Sequence, residues 1–203
     1  MRISDVSCRV IAESMRYAIV RHINYLTIVL NPDLVYNPAE DTFLILDHVN
    51  LKGNCSVLDM GTGCGVIGLS LARSCVSVLG ADINPYAVFY ANLNALINNV
   101  RNFKAIVSNL FSEIKGVFDY IVFNPPYLED TAKDVLDLSW AGGTGLVKRF
   151  LREARNHVRD KIFLVVTEQM FERLTWDHYR VRVVAEKAFF FEKILLLELT
   201  PTL

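Results

Sequence analysis

A glycine-rich turn between a short apolar segment and a helical segment limits the folds open to this chain more than any other feature. Ser56 to Met60 is predicted to be a buried strand, Gly61-Thr62-Gly63-Cys64-Gly65 follows as a tight turn, and a helix is predicted from Gly65 to Arg73. The alternation continues, with strands predicted at 76–82, 103–107, 118–123 and 161–167 and helices from Pro85 and over 145–158. This alternation predicts an α/β fold built on a doubly wound, mostly parallel sheet.

The two ends of the chain depart from this alternation. Residues 1–33 are predicted to form an extension with a helix and a hairpin, in which a strand at 25–30 turns at 31–33 and returns at 34–36. A helix capped by Asn37 then opens the main domain, which we expect to cover residues 34–203. Two strands near 181–185 and 192–199 are predicted to close the sheet, giving seven strands with an antiparallel terminal strand.

The composition limits the cellular compartment and the binding partners that we expect for the chain. Lys+Arg 21 against Asp+Glu 22 gives a net charge of -1, which makes nucleic acid a less favoured partner, because phosphate binding usually needs a basic excess. The four cysteines form no CxxC pair, so neither a metal site nor a disulfide framework is expected. The absence of a signal peptide predicts a cytoplasmic protein, and the short, charge-broken apolar runs predict no membrane contact.

The glycine turn and two acids predict a nucleoside ligand that also carries positive charge. Gly63, Gly65 and Gly68 satisfy the dinucleotide pattern G-x-G-x-x-G, but they begin late after the strand. Asp59, expected at the mouth of the loop, would repel a pyrophosphate, whereas it suits the ammonium and sulfonium groups of S-adenosylmethionine. Asp82 ends the second strand of the alternation, where a carboxylate can accept hydrogen bonds from both ribose hydroxyls.

Asn124-Pro125-Pro126-Tyr127 follows the predicted strand at 118–123 and is the second motif that carries chemistry. Two prolines stiffen the chain where the ligand crevice of such a sheet should lie. The Asn124 side-chain oxygen and the Pro125 carbonyl are acceptors that can hold both hydrogens of a planar NH₂ group and aim its nitrogen at a methyl donor. Tyr127 can stack on a planar group or stabilise positive charge over its ring. The motif therefore predicts methyl transfer to an amide or amine nitrogen.

Together these motifs make the chain resemble the HemK-type glutamine-N5 methyltransferases that modify translation release factors. The resemblance covers about residues 34 to 200. It rests on 35–42 (Val-Tyr-Asn-Pro-Ala-Glu-Asp-Thr), on the glycine loop, on 81–85, on 123–127 and on Trp140-Ala141-Gly142-Gly143. The first and last of these segments are similar to the short archaeal and eukaryotic branch rather than the bacterial one, which carries an additional helical substrate domain.

The resemblance implies a Rossmann-like class I methyltransferase fold, S-adenosylmethionine as cofactor, and a class I release factor as substrate, methylated at the glutamine of its Gly-Gly-Gln loop. Asn124, Pro125 and Tyr127 are the predicted catalytic residues, and Pro126 joins them in binding the substrate. The predicted cofactor-binding residues are Thr42, Asp59, Gly61, Thr62, Gly63, Gly65, Asp82, Ile83, Asn109 and Asn124.

One position departs from the family pattern, and one strand suggests a partner. The family usually has an acid after the third strand of the alternation, where this chain has Asn109, an acceptor without charge. That third strand, 103–107, is expected at the sheet edge and is apolar except for Lys104. The short branch works with a small zinc-binding activator subunit that adds a strand to this edge, so the resemblance implies such a partner here. A cover supplied by the N-terminal extension is the alternative.

Two other functions fit the same motifs. Asn-Pro-Pro-Tyr also occurs in adenine and cytosine amino-methyltransferases, whose flipped base presents a planar NH₂ group, so DNA or RNA is the alternative substrate. A scaffold that binds the cofactor without turnover is the third reading, and the intact Asn124 to Tyr127 motif argues against it.

Overall fold

The computed structural model describes residues 13–126, 143–189 and 192–202. These segments contain nine strands, namely β1 (Ile19–Ile23), β2 (Leu26–Leu30), β3 (Ser56–Met60), β4 (Ser77–Asp82), β5 (Phe103–Val107), β6 (Phe118–Phe123), β7 (Val158–Thr167), β8 (Tyr179–Phe189) and β9 (Glu192–Pro201). Their five helices of six or more residues are α1 (Glu40–His48), α2 (Val66–Leu71), α3 (Pro85–Ile97), α4 (Gly143–Ala154) and α5 (Glu168–Arg173).

Seven strands form one central sheet in the order β5-β4-β3-β6-β7-β9-β8. The first five strands in this order are parallel, and β9 runs antiparallel to both β7 and β8. This confirms the predicted doubly wound, mostly parallel sheet with an antiparallel end, and it confirms β5 as an edge strand. The chain reverses its winding direction between β3 and β6, where a crevice opens at the carboxyl ends of the strands.

Helices cover both faces of this sheet, which explains its apolar strands. On one face a buried cluster joins the β1–β2 hairpin with α1, α2 and α3, and on the other face a second cluster lies under α4 and α5. Leu58 and Ile121 are fully buried on the second face, while Val57 and Val122 are fully buried on the first. Burial on both faces is what near-continuous runs of Val, Ile and Leu predict for a parallel sheet.

The amino-terminal hairpin differs from its prediction. β2 does not return through 34–36 but pairs backwards with β1, with Ile23 opposite Leu26. A two-residue turn at Asn24 and Tyr25 makes this pairing possible, because Asn24 adopts φ 52 and asparagine tolerates that left-handed conformation. The predicted turn at 31–33 instead leads into the main domain. The domain boundary at residue 33 stays a prediction.

The starts of two helices test two predicted caps. Asn84 caps α3 as predicted, since its Oδ1 accepts from the Tyr86 N–H at 2.9 Å. Asn37, in contrast, does not cap α1. Ala39 holds the cap position without a side-chain hydrogen bond, and the Asn37 oxygen accepts from Arg21 at 2.6 Å.

Three asparagines join α3 to neighbouring strands by imitating a strand backbone. Asn92 accepts from the Ala105 N–H at 2.9 Å and donates to the Ala105 carbonyl at 3.0 Å. Asn94 forms the same pair of bonds with Val29, and Asn98, at the end of the helix, does so with Thr27. The outward-facing backbone groups of β2 and the middle of β5 are therefore satisfied by side-chain amides.

The cysteine prediction is wrong for one pair. Cys55 and Cys75 form a disulfide with their Cα atoms 4.8 Å apart. Cys55 directly precedes β3, and Cys75 lies two residues before the adjacent parallel strand β4. The Val76 N–H bonds to the Cys55 carbonyl, so strand register rather than sequence spacing brings the two cysteines together. Among the described residues no cluster of His, Cys, Asp or Glu could hold a metal ion. Within the same residues no helix has the length and hydrophobicity of a membrane span.

Candidate active site

A cavity of about 500 Å³ lies at the carboxyl ends of β3, β4 and β6, at the switch point of the sheet. Its volume is typical of small-molecule sites. The predicted site residues that line it are Thr42, Gly61, Thr62, Gly63, Asp82, Ile83, Asn109, Asn124, Pro125 and Pro126. The two motifs that the sequence placed some sixty residues apart therefore share one cavity.

The glycine loop needs its glycines for two physical reasons. Gly61, Gly63 and Gly65 have φ values of 63, 55 and 86, a region that disfavours side chains. A Cβ at Gly61 would also lie 3.1 Å from the Phe123 ring, and one at Gly65 would lie 3.1 Å from Ala91. Gly65 does not line the cavity but allows α2 to approach α3 closely. Gly65 therefore has a packing role, and its predicted cofactor contact stays a prediction.

Asp59 lies beneath the loop rather than at its mouth. It is 1% exposed and does not line the cavity. Its Oδ2 accepts from the Thr62 hydroxyl at 2.6 Å and from the Gly68 N–H at 2.9 Å. Burial raises its pKa to about 7, against the lowering effect of these two bonds. The carboxylate ties the loop to the first turn of α2, and its predicted contact with the charged groups of a ligand stays a prediction.

Asp82 lies at the tip of β4 with its carboxylate on the cavity wall. Its Oδ1 accepts from the Asn84 N–H and its Oδ2 from the Gly63 N–H, both at 2.9 Å. Burial raises its pKa, and these backbone bonds oppose the shift. A carboxylate oxygen can accept two hydrogen bonds, so both oxygens keep capacity for the hydroxyls of a ribose. The position and chemistry of Asp82 therefore fit the nucleoside part of S-adenosylmethionine.

Asn109 follows β5 and shares the cavity with a residue that the sequence did not indicate. Arg149, on α4, also lines the cavity, and its Nη1 donates to the Asn109 Oδ1 at 3.1 Å. The same guanidinium forms an ion pair with Glu153 at 2.8 Å. The hydrogen bond from Arg149 therefore orients the side-chain amide of Asn109, which stands where the family pattern has an acid.

The Asn124-Pro125-Pro126 turn closes the cavity at the end of β6. Asn124 donates from its Nδ2 to the Asp41 Oδ2 at 3.0 Å. The Tyr36 hydroxyl donates to the same carboxylate at 2.9 and 3.0 Å, and burial followed by the charge of Asp41 raises the pKa of this tyrosine. Tyr127 and residues 140–142 of the predicted motifs lie outside the described residues.

The sequence assigned no role to four cavity-lining residues with charged or phenolic side chains, namely Tyr36, Asp41, Arg149 and Glu192. Tyr36 and Asp41 lie inside the 35–42 motif that supports the family resemblance, so the sequence marked their segment without indicating what these two side chains do. Arg149 and Glu192 stand in segments without any recognisable motif, and only the fold brings them to the cavity.

Comparisons with known proteins agree with this site. The sequence model of the family described as "Methyltransferase small domain" matches residues 38–190. "Putative protein N5-glutamine methyltransferase MJ0928" of Methanocaldococcus jannaschii is 39% identical over 138 residues, which are 64% of this chain and 69% of that protein. "Methyltransferase HEMK2" of Mus musculus is 37% identical over 128 residues, which are 54% and 58% of the two chains. The "Release factor glutamine methyltransferase" of Buchnera aphidicola subsp. Baizongia pistaciae is 33% identical over 156 residues, and the chain spans 56% of its length.

Solved structures show the same fold at lower identity. The E. cuniculi Mtq2–Trm112 complex, described as responsible for methylation of the eRF1 termination factor, aligns with a TM-score of 0.63 and 23% identity over 83% of this chain and 99% of that chain. M. jannaschii TYW2 in complex with AdoMet aligns with a TM-score of 0.66 and 16% identity over 92% and 87% of the two chains. The family match over residues 38–190, on a fold whose cavity fits a nucleoside, shows that the chain belongs to the methyltransferase small domain family and is an S-adenosylmethionine-dependent methyltransferase.

Proposed function

We propose that this protein methylates the side-chain amide nitrogen of a glutamine in a class I release factor, in its Gly-Gly-Gln loop. The observation that carries the proposal is that Asn124 and Pro125 share one cavity with Asp82. An acceptor pair for an NH₂ group therefore lies beside a carboxylate suited to a ribose. Several of the relatives are named as glutamine methyltransferases, which supports the same substrate.

The wall around Asp82 would hold the cofactor. Asp82 would accept from the ribose hydroxyls, Asn109 would bind the adenine, and the backbone of Gly61 and Gly63, with Thr42, would surround the amino-acid part. S-adenosylmethionine supplies an electrophilic methyl group when it is bound.

The Asn124 turn would hold the substrate. An amide nitrogen is a poor nucleophile because its lone pair is delocalised, so the site must act through position and electrostatics. The Asn124 side-chain oxygen and the Pro125 carbonyl would each accept one N–H of the glutamine amide, which fixes the nitrogen and favours positive charge on it. Tyr127 follows directly in the sequence, and we propose that its ring stacks on the planar amide.

We place this reaction in the cytoplasm, where release factors act. The Cys55–Cys75 disulfide is unusual for that compartment, except in hyperthermophiles, whose intracellular proteins carry such bonds.

Labelled cofactor tests this function directly. The protein is incubated with tritiated S-adenosylmethionine and, separately, with a class I release factor, the same factor with Gly-Gly-Gln changed to Gly-Gly-Asn, DNA and RNA. We expect label on the first substrate alone, and one added methyl group on its glutamine by peptide mass spectrometry. Label on nucleic acid would instead support the alternative function, a DNA or RNA amino-methyltransferase. No transfer to any substrate would favour a scaffold that binds the cofactor without turnover.

We also propose that a small zinc-binding activator subunit docks on β5 by adding a strand. β5 is an edge strand with an apolar sequence, and Ile106 and Val107 are only half-buried. Unpaired apolar edges favour association with another strand. The Mtq2–Trm112 complex is an assembly of a related fold with a second protein. Asn92 already occupies the outward-facing backbone groups of Ala105, so an added strand would have to displace this side chain.

A further inference from the structure

Asp41 is a buried carboxylate that bonds to the Asn-Pro-Pro turn although it lies 83 residues away in the sequence. It is the second residue of α1 and is 6% exposed, yet it lines the cavity. The Thr42 N–H donates to its Oδ1 at 2.6 Å, and the Tyr36 hydroxyl donates to both of its oxygens. First-turn amides and the helix dipole stabilise a carboxylate at this position.

The chemistry of Asp41 fixes which way the Asn124 amide faces. A carboxylate only accepts hydrogen bonds, so the Asn124 nitrogen must face it, because an oxygen there would place two acceptors in contact. The Asn124 Oδ1 is the only acceptor of that side chain, and this bond turns it away from Asp41. A neutral partner such as asparagine could accept or donate a hydrogen bond, so the Asn124 amide could then adopt either of its two flipped orientations.

We infer that Asp41 is the positioning residue that sets the polarity of the Asn124 amide for its substrate. This inference rests on the proposed function, in which the Asn124 oxygen accepts from the glutamine NH₂ group. The substrate nitrogen gains positive charge as its bond to the methyl group forms and the sulfur–methyl bond of the donor breaks to leave a neutral thioether, and the nitrogen then loses a proton to water. The negative charge of Asp41, one side chain away from that nitrogen, favours this positive charge.

Exchanging Asp41 and Asn124 distinguishes an effect on the orientation of the amide from an effect on side-chain packing. Asp41→Asn keeps the shape of the side chain but removes the constraint on Asn124, and we expect kcat to fall by about thirtyfold to a hundredfold while the cofactor Kd stays within about twofold. Asn124→Asp alone places two carboxylates side by side and should be as impaired. The double variant restores one donor and one acceptor between the two positions and again turns an oxygen away from residue 41. We expect it to recover about tenfold of the lost kcat.

The control is Glu40→Gln, which removes the neighbouring charge of the same helix turn. Glu40 pairs with Lys187 at the surface and does not line the cavity, so this variant should retain wild-type kcat. A second readout needs no substrate. The side-chain NH₂ signals of Asn124 in ¹⁵N-edited NMR spectra, assigned by their loss in Asn124→Ala, should shift in Asp41→Asn and stay in place in Glu40→Gln.

The outcomes distinguish the two proposals. If the wild type does not methylate release factor, the proposed function fails, and the NMR comparison then decides whether Asp41 sets the Asn124 amide. Unshifted Asn124 signals in Asp41→Asn would overturn the inference. Wild-type kcat in the same variant would overturn it too, as would a double variant that recovers nothing.

Discussion

The Arg149 guanidinium donates a hydrogen bond of 3.1 Å to the Asn109 amide oxygen, and both residues line the cavity. The two residues come from α4 and from the loop after β5, and neither position is fixed by a motif. Arg149 thus supplies positive charge where the family pattern would place an acid at 109. An acid at that position would meet a ready ion-pair partner.

Restoring the acid at position 109 should therefore tighten cofactor binding. Asn109→Asp replaces a neutral acceptor by a charged one that Arg149 holds in place, and we expect the cofactor Kd to fall by about fivefold. Arg149→Met should weaken binding and remove the gain when the two changes are combined. Arg152→Met is the matched control, because its side chain lies on the same helix at 76% exposure. Calorimetric titration measures the four variants and the wild type, and an unchanged affinity of Asn109→Asp would contradict this role.

Asp82→Ala should weaken cofactor binding by about tenfold to a hundredfold, because a charge-assisted acceptor contributes roughly 1.5 to 3 kcal/mol. Asp82 also anchors the Gly63 and Asn84 N–H groups, so Asp82→Asn, which keeps one acceptor, should lose less. Asp47→Ala, at an exposed position of α1, serves as the control for fold and assay. Equal affinity of Asp82→Ala and wild type in calorimetry would remove Asp82 from the site.

Asn124→Ala should lower the rate of methyl transfer without weakening cofactor binding. The side chain faces the substrate in our proposal, so kcat should fall by at least about a hundredfold while cofactor affinity stays near that of the wild type. Steady-state kinetics with saturating release factor and calorimetry with cofactor alone measure the two effects. Normal turnover at saturation would exclude the proposed hydrogen bond from the glutamine amide to the Asn124 oxygen.

Asp59 should make stability fall as the pH rises toward neutrality. Burial raises its pKa from 3.8 to about 7, so between these values the folded chain binds more protons than the unfolded chain. Its contribution to the free energy of unfolding is complete below pH 3.8, the unfolded-state pKa. The contribution falls by no more than about 1.4 kcal/mol per pH unit as the pH rises, and it is lost once the pH has passed the folded-state pKa of about 7. Asp59→Asn is neutral throughout and should not show this loss. Urea unfolding of both proteins at about pH 5 and about pH 7.5 tests this, and parallel changes in the two would contradict it.

The β5 edge should respond in opposite ways to two substitutions. Asn92→Ala releases the outward-facing N–H and carbonyl of Ala105, so the isolated chain should aggregate more readily and the activator subunit should bind more tightly. Ile106→Lys adds charge beside the edge and should weaken the complex without loss of cofactor binding. Asn156→Ala, an exposed asparagine elsewhere, is the control. Co-purification and light scattering measure both effects, and an isolated chain that is monomeric and fully active on release factor would contradict the need for a partner.

The sheet could be predicted because its strands carry their own signals. Apolar runs bounded by glycine, proline and asparagine fixed β3 to β6 to within a residue at each end. β7 was predicted from residue 161 and begins at Val158, since polar residues 159–160 lie where the strand is exposed and no apolar pattern marks it. The β1–β2 pairing was missed because its turn depends on the left-handed conformation of one asparagine.

The site was predictable where the chemistry is local and unpredictable where it depends on tertiary contacts. Asp82 is the last residue of β4 and Asn124 directly follows β6, so their cavity positions follow from topology. Asp59 is the second-last residue of a predicted strand, and its side chain points under the loop, since alternate strand residues face opposite sides of a sheet. Arg149 and Cys75 reach their partners through packing between elements far apart in sequence, which no local pattern records.

The asparagine pairs between α3 and β2 leave the hairpin open to chemical ageing. Each amide gives one donor and one acceptor to a peptide group, and no other side chain has this shape at this length. Deamidation of Asn94 or Asn98 would replace the donor by a negative charge that faces a backbone carbonyl of Val29 or Thr27. Loss of the Asn98 amide would therefore weaken the hold on the hairpin alone, whereas loss of the Asn94 amide would also remove its 2.9 Å hydrogen bond to the Cys64 carbonyl and so reach the glycine loop of the cavity.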